Sequence, residues 1–66
     1  MSWTLKCRDP DGVEGFSVHL NEEDAFKDAA KLMREGHTLL RLEAPNGDLL
    51  TGHQIEAEIT KRGLST

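Results

Sequence analysis

Three histidines, one cysteine and a set of fixed charges are the residues of this chain with the chemistry to act on another molecule. His19, His37 and His53 are far apart, and none belongs to an H-x-x-x-H pair. A zinc site would need long-range convergence together with a carboxylate, so neither a metal nor any other cofactor is expected. Each histidine reads as a solvated polar residue: His19 on the polar side of a strand, His37 after a helix stop, His53 in the first turn of a second helix. Cys7 is the only cysteine, which excludes an internal disulfide and a cysteine-based zinc site. Thiolate activation would need Lys6 and Arg8 beside it, but alternation puts both on the opposite face. Cys7 therefore reads as a small buried hydrophobe.

The carboxylates have a plainer use. Glu22, Glu23 and Asp24 fall in the first turn of one helix and Glu56 and Glu58 near the start of another, where the helix dipole favours negative charge. General acid–base catalysis needs a carboxylate held in a cleft, and a chain of 66 residues has little depth for one. The sequence has no phosphate loop, dinucleotide fingerprint, nucleophile elbow or C-x-x-C, and no Tyr. It reads as a non-enzyme with no evident small-molecule substrate.

Composition bounds the elements that must position these residues. Apolar residues make up 36% of the chain, and eight Lys and Arg face twelve Asp and Glu for a net charge of −4. One domain over residues 1–66 is expected, with a modest core for its size. No apolar run approaches the ~18 residues of a membrane span, and no signal peptide opens the chain. A lone thiol without an export signal fits a reducing cytoplasm.

Residues 3–8 alternate, with Trp3, Leu5 and Cys7 on one face and Thr4, Lys6 and Arg8 on the other. Asp9-Pro10-Asp11-Gly12 turns the chain. Residues 13–20 alternate again, with Phe16, Val18 and Leu20 opposite Ser17 and His19. A four-residue loop pairs Leu5 with Phe16 and Trp3 with Val18, gathering the apolar residues on one face. A three-residue loop opposes Leu5 to Ser17 and survives only with a bulge at Gly15. The longer loop is the one expected.

Asn21 caps the first helix, whose apolar stripe is Ala25, Phe26, Ala29, Ala30, Leu32 and Met33, with Gly36 as its stop. A third strand, 38–44, is expected to turn Leu40 and Leu42 inward and Leu39, Arg41 and Glu43 outward. Pro45-Asn46-Gly47 turns into a short fourth strand in which either Leu49 or Leu50 faces the core. Thr51-Gly52-His53-Gln54 has the form of a capping box. Ile55 and Ile59 then form the apolar side of a second helix that ends at Gly63, and residues 64–66 are expected to fray. The two Pro-Asp/Asn-Gly turns are 35 residues apart, and the same offset lays Cys7 on Leu42 and Leu5 on Leu40. Ordinary hairpin chemistry accounts for this as well as duplication does.

The expected fold is α+β: a two-layer sandwich in β-β-α-β-β-α order, a four-stranded, mainly antiparallel sheet with two helices on one face. The open face would then hold Lys6, Arg8, His19, Leu39 and Arg41, the candidate binding residues. Cations segregated on an acidic chain could meet phosphates. That face has no aromatic residue for base stacking, however, and the net charge repels polyanions. Nucleic acid is therefore the alternative partner. The favoured reading is a small cytoplasmic interaction module that binds a protein or a second copy of itself, since a marginal core often gains stability by self-association. No diagnostic motif of any one family is present.

Overall fold

The computed structural model describes residues 2–64. Its elements are β1 (Trp3–Arg8), β2 (Glu14–His19), α1 (Glu22–Arg34), β3 (Thr38–Glu43), β4 (Leu49–Thr51) and α2 (Gly52–Lys61). The strands form one antiparallel sheet in the order β2-β1-β3-β4. Both helices pack on the face that carries Leu5 and Leu42, and against each other. The α+β architecture is the one the hydrophobic periodicities predict. Among the described residues, no helix is long and apolar enough to cross a membrane.

Local chemistry fixes the helix ends. Asn21 Oδ1 accepts from the Asp24 amide at 2.8 Å, satisfying one of the free N–H groups of α1. At α2 the predicted capping box is complete: the Gln54 amide donates to Thr51 Oγ1 and the Thr51 amide to Gln54 Oε1. Both helices end in matching Schellman caps. In α1 the His37 amide reaches the Leu32 carbonyl, and in α2 the Leu64 amide reaches that of Ile59. Leu64 therefore belongs to a helix cap and packs on the core; residues 65–66 of the tail expected to fray lie outside the described residues.

Phe26, Leu5, Leu42, Ile55 and Ile59 are the largest fully buried side chains, with Ala25, Ala29 and Ala30 packed among them. The small alanines let α1 lie close to the sheet while Phe26 fills the space between the helices and the strands. Arg62 closes this region from the end of α2. Its guanidinium stands 4.3 Å from the Phe26 ring centroid and pairs with both Glu22 of α1 and Glu58.

The first hairpin departs from the expected register. Its loop has three residues, not four: the Asp9 amide donates to the Val13 carbonyl and the Gly12 amide to the Asp9 carbonyl. Asp9 Oδ1 accepts from the amides of Asp11 and Val13. Gly12 sits at φ +88°, the left-handed position that ends a type I turn in a three-residue hairpin. Leu5 therefore faces Ser17, and Lys6 faces Phe16. No bulge at Gly15 restores the other pairing; Gly15 simply opposes Cys7. The consequence is a reversed strand: Phe16, Val18 and Leu20, all expected inward, are exposed, Phe16 by 70%.

The third strand departs too. The register between β1 and β3 shifts at Lys6/Cys7, so that Cys7 faces Leu39 and Leu40 becomes the extra residue of a bulge. The bulge turns Leu39 inward to 7% exposure and leaves Leu40 only partly covered. That reverses the expected placement of the two. In β4 the open choice resolves with Leu50 against the core and Leu49 outward.

Candidate interaction surface

The five candidate residues do not share a face. Lys6, Arg8 and Arg41 lie on the open side of the sheet, in rows that run Phe16–Lys6–Arg41–Thr51 and Glu14–Arg8–Thr38. Leu39 is buried by the bulge. His19 points to the helix side, because the shorter loop inverts every side chain of β2.

The two helix-side polar residues of β2 meet α1 at Asp28. Ser17 Oγ donates to Asp28 Oδ2 at 2.8 Å, and His19 Nε2 lies 3.0 Å from the same oxygen and 3.1 Å from Ser17 Oγ. The cluster is largely covered, with 19% of the His19 side chain and 27% of that of Asp28 exposed. Its composition is that of a nucleophilic triad, but its geometry is not. In a triad the imidazole bridges, taking the serine on one ring nitrogen and the carboxylate on the other. Here one nitrogen meets both, and the serine hydroxyl donates to the carboxylate instead of to the imidazole. The arrangement ties the edge strand to the helix.

Cys7 is on the helix side as expected, away from Lys6 and Arg8. Burial raises its thiol above the ordinary range, and the charges of Asp28 and Asp9 raise it further. It is therefore held as a neutral thiol. Among the described residues, no group of three or more His, Cys, Asp and Glu is placed to hold a metal ion.

The cations of the open face are mostly occupied. Arg8 Nη2 lies 3.5 Å from Glu14 Oε2, and Arg41 Nε lies 3.5 Å from Glu43 Oε1. Arg41 Nε makes no hydrogen bond, so its contact with Glu43 is an ion pair alone. Beside these charges stand exposed apolar residues, among them Phe16 and Val18, which the sequence pattern assigned to the core. Phe16 and Val18 project from β2, and Leu49 from β4, each more than half exposed. Val13 and Leu20 extend the exposed apolar set at the two ends of β2.

Sequence reasoning missed Phe16 and Val18 as surface residues. The signal was present in Asp9-Pro10-Asp11-Gly12, whose chemistry suits a three-residue loop. A groove of about 480 Å³ between β4 and α2 is lined by Leu49, Leu50, Gln54 and Ala57, with Asp48, Glu58 and Lys61 as its charges. It is wide open, and its acids are engaged, Glu58 by Arg62 and Asp48 by the side chain of Asn46. No family model matches the chain, and the searches of curated proteins and of solved structures return no similar protein.

Proposed function

We propose that this protein is a small, non-catalytic interaction module of the cytoplasm, and that it binds a protein through the open face of its sheet. The observation that carries this reading is the outward placement of Phe16 and Val18 on a face that no helix among the described residues covers. Isolated apolar residues on a surface are ordinary. Two on one strand, with Leu20 beyond them and charges around them, form the kind of patch that marks an interface. Catalysis draws no support from the Ser17–His19–Asp28 cluster, in which the imidazole does not bridge the serine and the carboxylate. The cytoplasmic assignment rests on the single thiol, Cys7.

The alternative, a phosphate-binding face, draws less support. Arg8 and Arg41 each stand beside a glutamate on that face, which lowers the local positive potential that a polyanion needs. The distinguishing experiment is photo-crosslinking in cells. A benzoylphenylalanine is placed at position 16 on the open face, and in a second variant at His53, an exposed position on α2. Protein adducts are expected from position 16 and not from position 53. Equal yields from the two positions would sink the interaction-face reading, and adducts to nucleic acid would favour the alternative.

A further inference from the structure

The apolar face of β2 is also the free edge of the sheet, and one set of three residues serves both. The turn bond from the Asp9 amide to the Val13 carbonyl makes that pair a bonded one. Antiparallel pairs alternate between bonded and non-bonded. In the β1/β2 register, Cys7/Gly15, Leu5/Ser17 and Trp3/His19 are then the bonded pairs. Glu14, Phe16 and Val18 fall in the other class, with their N–H and C=O groups turned away from β1. No strand among the described residues pairs with that outer edge. Little blunts it: β2 contains no Pro, no Lys and no bulge, and of the usual protections of an edge it has only the charge of Glu14.

We infer that the partner of this surface is a second copy of the chain, joined edge to edge through antiparallel β2 strands. The inference rests on the interaction-face reading and names the occupant of that face. The strand is self-complementary about Phe16. A twofold axis there opposes Phe16 to its counterpart and Glu14 to Val18 of the other copy, giving three bonded pairs and about six backbone hydrogen bonds. Glu14 is the only fixed charge in the strand, and it is never set against its own counterpart. Phe16 and Val18 of both copies come together on one continuous sheet face, as cross-strand neighbours that stabilise a sheet. A six-residue edge with two apolar side chains covers less than the ~800 Å² per partner of a standard interface. The association is accordingly weak and concentration-dependent.

Sedimentation equilibrium on the full chain tests this, from about 10 μM to about 1 mM, the range that weak interfaces occupy. The mass is expected to rise from 7.4 kDa towards twice that value. Val18→Pro removes an outward N–H that β1 does not use, so it should abolish the rise while the circular dichroism stays native. If that variant fails to fold, Phe16→Lys and Phe16→Glu serve instead. Each alone should remain monomeric, and an equal mixture should associate, because only a strand paired about position 16 sets these two charges opposite one another. A mixture that stays monomeric while wild type dimerises would overturn the pairing. So would a dimer that Phe16→Lys leaves undiminished. A wild type that is monomeric at about 1 mM overturns the self-association; if crosslinks from position 16 to another protein persist, the interaction face itself survives.

Discussion

The two hairpins share a turn and a register, but their edge strands end differently. Asp9-Pro10-Asp11-Gly12 and Ala44-Pro45-Asn46-Gly47 both close three-residue loops, with Gly12 at φ +88° and Gly47 at φ +92°. Arg8 faces Glu14 in one and Glu43 faces Leu49 in the other, an equivalent pairing 35 residues on. In the second hairpin that register puts Leu42 opposite Leu50 on the helix side, and β4 gives way after three residues to α2. The first hairpin puts Cys7 opposite Gly15 there, and then Leu5 opposite Ser17 and Trp3 opposite His19. It needs Asp28 to satisfy the polar pair. Turn chemistry therefore sets the register in both hairpins. Where the apolar pattern of the following strand disagrees with it, the apolar residues are left on the surface.

The strongest way to break this comparison is to truncate one phenylalanine from each environment. Phe26 of α1 is buried in the core, and Phe26→Ala should cost about 3–5 kcal/mol, a large share of a small domain's stability. Phe16→Ala, measured on dilute protein, should change stability by no more than about 0.5 kcal/mol. Thermal and urea unfolding would separate the two. Comparable losses would mean that β2 buries its apolar face after all.

Gly52 tests how the bulge is used. A Cβ at this position would stand 2.1 Å from the Leu39 carbonyl oxygen, so the start of α2 reaches β3 only because the side chain is missing. Gly52→Ala should destabilise by about 1–3 kcal/mol through overpacking against backbone. A neutral outcome in urea unfolding would show that α2 can begin directly after β4 without the missing side chain.

The tie between β2 and α1 comes next in size. Asp28→Ala leaves Ser17 and His19 without their shared acceptor and should cost about 1–2 kcal/mol. A double-mutant cycle of His19→Ala with Asp28→Ala should show a coupling of at least about 0.5 kcal/mol. Additive losses would mean that His19 points elsewhere and that the strand is not inverted. Smaller again, Gly12→Ala and Gly47→Ala should each cost about 1 kcal/mol, because both occupy the left-handed region. Equal losses support a common turn; a large difference would separate the hairpins at their loops.

The sequence carried most of the fold, for identifiable reasons. Asn21, Thr51 with Gln54, Gly36 and Gly63 marked the helix ends by hydrogen-bonding chemistry that acts within a few residues. Phe26, Ile55 and Ile59 recur at helical spacing and are buried as that spacing requires. The misplacements came where two local rules competed. For β2, apolar matching favoured one register and the Asp-Pro-Asp-Gly turn another, and the side-chain bonds from Asp9 Oδ1 favour the turn. For Leu39 and Leu40, strict alternation fails at a bulge in β3 where the start of α2 packs on the Leu39 carbonyl, a long-range contact with no local signature. Both errors fell on the candidate binding residues. Lys6, Arg8 and Arg41 kept their face, His19 and Leu39 lost it, and Phe16 and Val18 entered it unannounced.

The smallest expected effect concerns Cys7, which sits between the two regions, paired with Gly15 on one side and Leu39 on the other. Its thiol is raised first by burial and then by the nearby charges of Asp28 and Asp9. A raised value in the folded chain means that the native state holds its proton longer than the unfolded state does. The resulting stability is fully present below the titration of an unfolded cysteine, about pH 8.5, and is lost as the pH rises through the folded value. Alkylation at pH 8 should accordingly be slower in the native protein than in denaturant, and its midpoint should lie above that of a free thiol. Asp28→Asn removes the second of the three causes but not the first, so it should lower the midpoint only in part. A midpoint that falls to the unfolded value would show that charge, and not burial, sets the thiol. A native rate equal to the denatured one would place Cys7 on the open face, and with it reverse the assignment of every residue in β1.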